Sequence, residues 1–201
     1  MSERSFVPSF IDDLPLAQAA VLYAQELHRG QRRESDEAPF VLHPLEVGAL
    51  LHNSGHREVV VAAGILHDTV EDTEASLPQI AERFGDEVAA LVRAMTENPS
   101  IEDFSERKAA LREQIATVGA DASSIYAADK VTKVRELRAR IAADTRLLQS
   151  SQRDHARLEH YRASLAMLEH ITPEHPLVRQ LRFELEALAA LPPHDELTEA
   201  D

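Results

Sequence analysis

The stretch Val59 to Asp72, VVVAAGILHDTVED, runs eight apolar residues into His67, Asp68, Glu71 and Asp72. If it is helical, the 3.6-residue period sets Glu71 one turn beyond His67 and Asp68, and Asp72 one turn beyond Asp68. Three neighbouring carboxylates at the end of an apolar segment repel one another and resist desolvation unless a cation offsets them. A metal ion is the simplest source of that charge. On the residues alone, an acidic and solvated helix end is an equal reading, because carboxylates at a helix C-terminus also oppose its dipole.

The elements that must hold this cluster read as helices. Asp12 and Asp13 can cap a first helix with apolar positions Leu16, Ala17, Ala20, Val21, Ala24 and Leu27, ending near Gly30. QRRESDEAP is a charged loop carrying Arg32 and Arg33, and His43-Pro44 opens a second helix that stops at Gly55. The three valines from Val59 leave a buried strand as the competing local reading for the central segment, but length and flanking signals favour helix. Ser76 with Gln79 and Asp103 with Glu106 mark further helix starts, Asp86 can cap a helix between them, and a long helix is expected from about Ala122 to Ala143. The basic run Lys130, Lys133, Arg135, Arg138 and Arg140 on that helix reads as a solvated face.

These signals predict an all-α fold, one domain over residues 1–201 with eight or nine helices. The motif-bearing core covers about 14–143, C-terminal helices cover 151–191, and 192–201 form a mobile tail. Apolar faces on the last two helices can either close the domain or pair two copies, so monomer and homodimer both stand.

Composition narrows the chemistry. With no cysteine, disulfides, thiolate nucleophiles and cysteine-ligated metals are excluded, so any metal must use His and carboxylate ligands. A formal net charge of −14 argues against nucleic-acid or anionic-membrane binding. No signal-peptide pattern and no apolar run of about 20 residues is present, which makes the cytoplasm the expected location.

The pattern His43…His67-Asp68…Asp129 resembles the H…HD…D signature of the HD-domain metal-dependent phosphohydrolases. Spacing alone does not join Asp129 to the other three; the resemblance does. HRGQRR (His28 to Arg33), HPLEV (His43 to Val47), LHDTVEDT (Leu66 to Thr73) and ADK (Ala128 to Lys130) are similar to the hydrolase domain of RelA/SpoT proteins and small alarmone hydrolases. The likeness runs from about Ala17 to Leu137, and the last third matches only as generic helix.

The resemblance implies a single helical HD-type domain that hydrolyses guanosine tetra- or pentaphosphate at the 3′ position and releases pyrophosphate with Mn²⁺, with Fe²⁺ or Zn²⁺ as alternatives. It makes His43, His67, Asp68 and Asp129 metal ligands, and Glu71 and Asp72 the pair that orients or deprotonates water. Arg32 and Arg33 suit phosphate, since a guanidinium bonds phosphate oxygens in pairs, although both also read as plain loop surface. His28 takes a structural role near the site, and the remaining histidines read as surface or packing residues.

Some positions depart from the family pattern. Glu37-Ala38-Pro39-Phe40 replaces the usual Gly-x-Pro-Tyr, Leu42 replaces an Asn, and Lys133 stands where alarmone hydrolases carry Asn. One turn from Asp129, Lys133 should face the site and either bind phosphate or pair with Asp129 or Glu71. Two other functions therefore stand beside the first: hydrolysis of another phosphorylated nucleotide, for example NADPH dephosphorylation, and nucleotide sensing without turnover.

Overall fold

The computed structural model describes residues 7–144 and 151–191. A short 3₁₀ turn, Ser9–Ile11, precedes α1 (Pro15–Leu27), α2 (Leu42–Asn53), α3 (Glu58–Leu66), α4 (Thr69–Asp72) and α5 (Leu77–Phe84). Then follow α6 (Asp86–Met95), α7 (Phe104–Val118), α8 (Ala120–Ala143), α9 (Gln152–Ile171) and α10 (Pro176–Ala189). Counting the single turn α4 with α3, nine helices occur among the described residues, where the only β-type pairing is an isolated bridge between Arg32 and Pro39. The all-α expectation holds. The proposed tail at 192–201, with His194, lies outside the described residues.

The valine-rich segment is helical because it is enclosed on all sides. Every residue of α3 from Val60 to Leu66 is buried, and the helix packs against α1, α2, α6 and α8. Two glycines let α2 and α3 approach closely: a Cβ on Gly48 would sit 2.6 Å from Ile65 Cγ1, and one on Gly64 would strike Leu51 Cδ1. That crossing brings His43 of α2 alongside His67 at the end of α3. The helix does not run on unbroken, as the period argument assumed. It stops at Leu66, turns through His67 and Asp68 with right-handed helical dihedrals, and resumes as α4, tied back by Thr69 Oγ1 donating to the Leu66 carbonyl (2.6 Å).

Local start signals held in part. The Ser76–Gln79 capping box and the Asp103 cap on the Glu106 amide (2.9 Å) are present. Asp12 and Asp13 do not cap α1. That role falls to Glu58 of α3, whose Oε1 accepts from the Leu16 amide at 2.5 Å and from the Ala17 amide at 3.3 Å. A carboxylate supplied from another helix satisfies the same orphan donors and the same dipole. Gly85, not Asp86, is the residue preceding α6.

The last two helices close the core. Leu177, Val178, Leu181, Leu185 and Leu188 of α10 are buried, and α10 packs chiefly on α8. The basic face of α8 is not simply solvated. Arg135 Nε (2.6 Å) and Arg138 Nη2 (3.0 Å) donate to the buried Glu184 of α10, and Arg140 bonds the buried Asp154 of α9 at 3.3 Å. Among the described residues no helix is long and apolar enough to cross a membrane.

Candidate functional site

Four side chains from three elements meet where α2, the α3–α4 turn and α8 converge. His43 Nε2 lies 3.4 Å from Asp68 Oδ2 and 3.2 Å from Asp129 Oδ1. His67 Nε2 lies 2.9 Å from Asp68 Oδ1 and 3.6 Å from Asp129 Oδ1. The ligand atoms of His43, His67 and Asp129 all fall within 4.8 Å of one another, and all three residues are buried.

The other ring nitrogens fix which way the lone pairs point. His67 Nδ1 lies 2.8 Å from the Gly64 carbonyl, which can only accept, so Nδ1 carries the hydrogen. Thr132 Oγ1 donates to the Asp129 carbonyl (2.8 Å) and therefore accepts from His43 Nδ1 (3.1 Å). In the neutral form of either ring, Nε2 is then a lone pair facing two carboxylates. His43 Nε2, His67 Nε2, Asp68 Oδ2 and Asp129 Oδ1 have no hydrogen-bond partner. Acceptors crowded against acceptors require a cation between them, and two imidazoles with two carboxylates suit a divalent metal. Partners on the far side of each ligating ring are the usual device for holding such a site.

The titration behaviour has the same cause. Burial opposes a charged His67, yet Asp68 and Asp129 push it up to about 10. Asp68 and Asp129 are held well below the usual carboxylate range, against the cost of burial, by His67 and Lys133 for the first and by Lys130, His43 and His67 for the second. Lys130 Nζ bonds Asp129 Oδ2 at 2.5 Å, which leaves Oδ1 for the cluster, and sits 4.4 Å from the Tyr126 ring centroid.

Glu71 and Asp72 stand one turn on. The Glu71 carboxylate accepts from the Glu97 amide, and loss of water together with the charge of Asp68 pushes it up to about 7. Asp72 is also raised, by burial and by Asp68, and Gln31 Nε2 donates to its carbonyl at 2.8 Å. His28, buried and bonded through Nδ1 to Gln31 Oε1 at 2.7 Å, holds that connection.

A cavity of about 400 Å³ opens beside the cluster, with His43 and Asp72 in its wall and Lys133 and Arg32 flanking them. Among the described residues Lys133 makes no ion pair. Its Nζ lies 5.6 Å from the Phe40 ring centroid, and although burial opposes its charge, Asp68 and Asp129 raise its pKa. Neither Asp129 nor Glu71 pairs with it directly. Arg32 uses one nitrogen on the Glu37 carbonyl (3.2 Å) and has no carboxylate partner among the described residues. Arg33 differs: it forks onto Asp36 (2.5 and 3.0 Å) and reaches Glu46 (3.2 Å) and Glu136 (3.6 Å), so its guanidinium is committed to carboxylates.

Sequence reasoning missed several contributors. Thr132, three residues after Asp129, and Lys130, inside the ADK motif, were adjacent to the signal. His160, Tyr161 and Arg157 of α9 line the cavity although their helix carried no motif. Nothing local could have announced them, because only the tertiary fold brings α9 there.

Comparisons with known proteins identify the family. The HD domain family model matches residues 20–160. A probable guanosine-3′,5′-bis(diphosphate) 3′-pyrophosphohydrolase from Synechocystis is 48% identical over 77 residues, 38% of this chain and 10% of that protein. The human guanosine-3′,5′-bis(diphosphate) 3′-pyrophosphohydrolase MESH1 is 36% identical over 118 residues, 57% of this chain and 65% of that one. The chain thus spans less than two thirds of the length of either relative. A solved structure described as a metazoan ortholog of SpoT that hydrolyzes ppGpp superposes with a TM-score of 0.75 at 28% identity, covering 92% of this chain and 99% of that one. The chain belongs to the HD domain family, and within it resembles the RelA/SpoT-type hydrolases.

Proposed function

We propose that this chain is a metal-dependent phosphohydrolase of small phosphorylated nucleotides, acting on guanosine 3′,5′-bis(diphosphate) and releasing pyrophosphate from the 3′ position. The observation that carries the reading is the convergence of four unpartnered buried atoms, His43 Nε2, His67 Nε2, Asp68 Oδ2 and Asp129 Oδ1. In this reading they hold one divalent ion, Mn²⁺ first, with Fe²⁺ or Zn²⁺ as alternatives. Bound there, such an ion supplies Lewis-acid chemistry, acidifying water and offsetting charge on a phosphoryl oxygen.

The chain's own groups carry the remaining steps. Thr132 and the Gly64 carbonyl keep both Nε2 atoms aimed inward. Glu71, with its carboxyl pushed up to about 7, is matched to accepting a proton from the attacking water near neutral pH, with Asp72 beside it orienting that water. The water oxygen bonds to phosphorus, the bond from phosphorus to the ribose oxygen breaks, that oxygen takes up a proton, and pyrophosphate departs. Arg32 and Lys133, the cavity cations without carboxylate partners among the described residues, bind phosphate. Arg33 shapes the loop through Asp36, Glu46 and Glu136 rather than acting as a free clamp.

The function is proposed for one HD-type domain over residues 1–201, located in the cytoplasm and working as a monomer or homodimer without nucleic acid. Nucleotide sensing without turnover is the second reading, favoured if Lys133 occupies the water or ligand position; Lys133 lines the cavity without a direct bond to Asp129 among the described residues. A panel of guanosine tetraphosphate, guanosine pentaphosphate and NADPH, assayed separately for pyrophosphate and orthophosphate with Mn²⁺, tests the substrate. Pyrophosphate from the guanosine compounds is expected. Orthophosphate from NADPH alone would transfer the reading to a phosphatase, and tight binding without product would replace it with a sensor.

A further inference from the structure

Among the described residues the Glu71 carboxylate has one hydrogen-bond partner, the backbone N–H of Glu97. A flexible glutamate side chain with a single donor takes its direction from that donor. Glu97 lies in the connection between α6 and α7, residues 96–103. The middle of this connection, Asn98 to Ser100, is exposed, so bonds from α7 rather than core packing set its shape.

The peptide unit that carries the Glu97 N–H is gripped at its other end. Its carbonyl, that of Thr96, accepts from Gln114 Nε2 of α7 at 3.2 Å. In a planar trans peptide the C=O and N–H point in opposite directions, so turning the carbonyl toward Gln114 turns the N–H toward Glu71. The same Gln114 nitrogen reaches the Ala94 carbonyl at 2.8 Å and the Arg93 carbonyl at 3.3 Å, which ties α7 to the end of α6. The Glu97 side chain is held separately. Arg107 of α7 donates from Nε to Glu97 Oε2 at 2.8 Å. Its Nη1 donates to the Ile101 and Glu102 carbonyls at 2.8 and 3.0 Å, which uses both hydrogens of that nitrogen. Lys108 bonds the other Glu97 oxygen. Burial opposes the charge on Glu97, yet Lys108 and Arg107 hold its carboxyl below the usual carboxylate range, so the anchor stays ionised.

We propose that Arg107 and Gln114 are positioning residues, which shape the α6–α7 connection so that the Glu97 N–H holds the Glu71 carboxylate in place to accept a proton from the attacking water. The proton-accepting task rests on the phosphohydrolase reading; the fastening of Glu71 to the connection does not. Burial disfavours the ionised Glu71, and the Glu97 N–H favours it; Asp68 and the Glu97 carboxylate oppose it, and Lys108 assists. Losing the N–H therefore raises the pH at which Glu71 ionises.

The first readout is the Glu97 amide resonance of the ¹⁵N-labelled full chain, followed against pH without added metal or nucleotide. In the parent it should move with the ionisation of Glu71, and in Glu71→Gln it should not. Arg107→Met and Gln114→Ala should each lose most of that movement. The second readout is turnover of guanosine tetraphosphate with Mn²⁺ across the same pH range. In Arg107→Met, kcat at pH 7 should fall about tenfold with KM within about threefold, and the acid limb should move up by about one pH unit. Arg107→Lys keeps a cation on Glu97 but not both carbonyl bonds, and should lie between. A merely structural role would lower the melting temperature and leave the limb in place. An amide that does not follow Glu71 in the parent, or that titrates unchanged in both variants, overturns the proposal, as does an acid limb unmoved in both. Should Arg107→Met fail to fold, Gln114→Ala decides by the same two readouts. Loss of the amide response in the variants with no nucleotide hydrolysed by the parent leaves the fastening standing and rejects the hydrolase reading. Hydrolysis with an unmoved limb does the reverse.

Discussion

Carboxylates are buried around α8 in two contrasting ways. Towards α9 and α10, Asp154 and Glu184 are nearly inaccessible, and both oxygens of each are bonded by arginines. Towards α2 and α3, Asp68 and Asp129 are also sunk, but one oxygen of each has no hydrogen-bond partner and faces an equally unpartnered imidazole nitrogen. The first arrangement is complete within the protein and joins helices together. The second is incomplete and calls for a cation from outside. Buried charge alone does not mark the candidate site; carboxylate oxygens converging on unpartnered imidazole nitrogens do.

The largest expected effect falls on the incomplete side. His67→Ala or Asp68→Asn should cost about a thousandfold or more in turnover, the scale seen when an acting group is removed. Without metal, His67→Ala should also melt below the parent, because it removes the charged ring that Asp68 and Asp129 favour and leaves both carboxylates without it. A variant that lost stability but kept turnover would collapse the contrast. Next comes Thr132→Val, which removes the acceptor holding His43 Nδ1–H and should weaken metal binding about 10- to 100-fold. Unchanged metal affinity would mean that the His43 ring is held by packing alone.

The pH dependence is a smaller effect. With Glu71 raised to about 7 and needed in its ionised form, turnover should fall as pH drops below 7 and level off above it. Glu71→Gln should lower the plateau and abolish that limb; a limb that persists belongs to another group. Smallest for activity, and confined to stability, is Glu184→Ala. It removes the bonds from Arg135 and Arg138 and should cost about 2 kcal/mol, discounted for the partial exposure of both arginines. That corresponds to a melting shift of about 4–8 °C for a chain of this length, with turnover per folded molecule unchanged.

What the sequence made legible was local. The apolar run of α3 ending in His67-Asp68, the capping box at Ser76 and the cap at Asp103 all rest on neighbours in the chain, and each formed. Joining His43 and Asp129 to that end needed the family pattern, because contacts across 24 and 62 residues leave no periodic trace. Thr132 and His160 meet partners on other helices and had no local signature. The errors have the same origin: Asp12 and Asp13 were displaced as caps by Glu58, and the arginines of α8 meet Glu184 and Asp154 from segments far along the chain.

The central claim is that the unpartnered quartet is a divalent-metal site, and titration of the metal-stripped protein with Mn²⁺, followed calorimetrically, addresses it most directly. One saturable equivalent is expected for the parent, with binding strongly weakened in Asp129→Asn and unchanged in Glu184→Ala. Absence of saturable binding in the parent, or equal binding in Asp129→Asn, would contradict it.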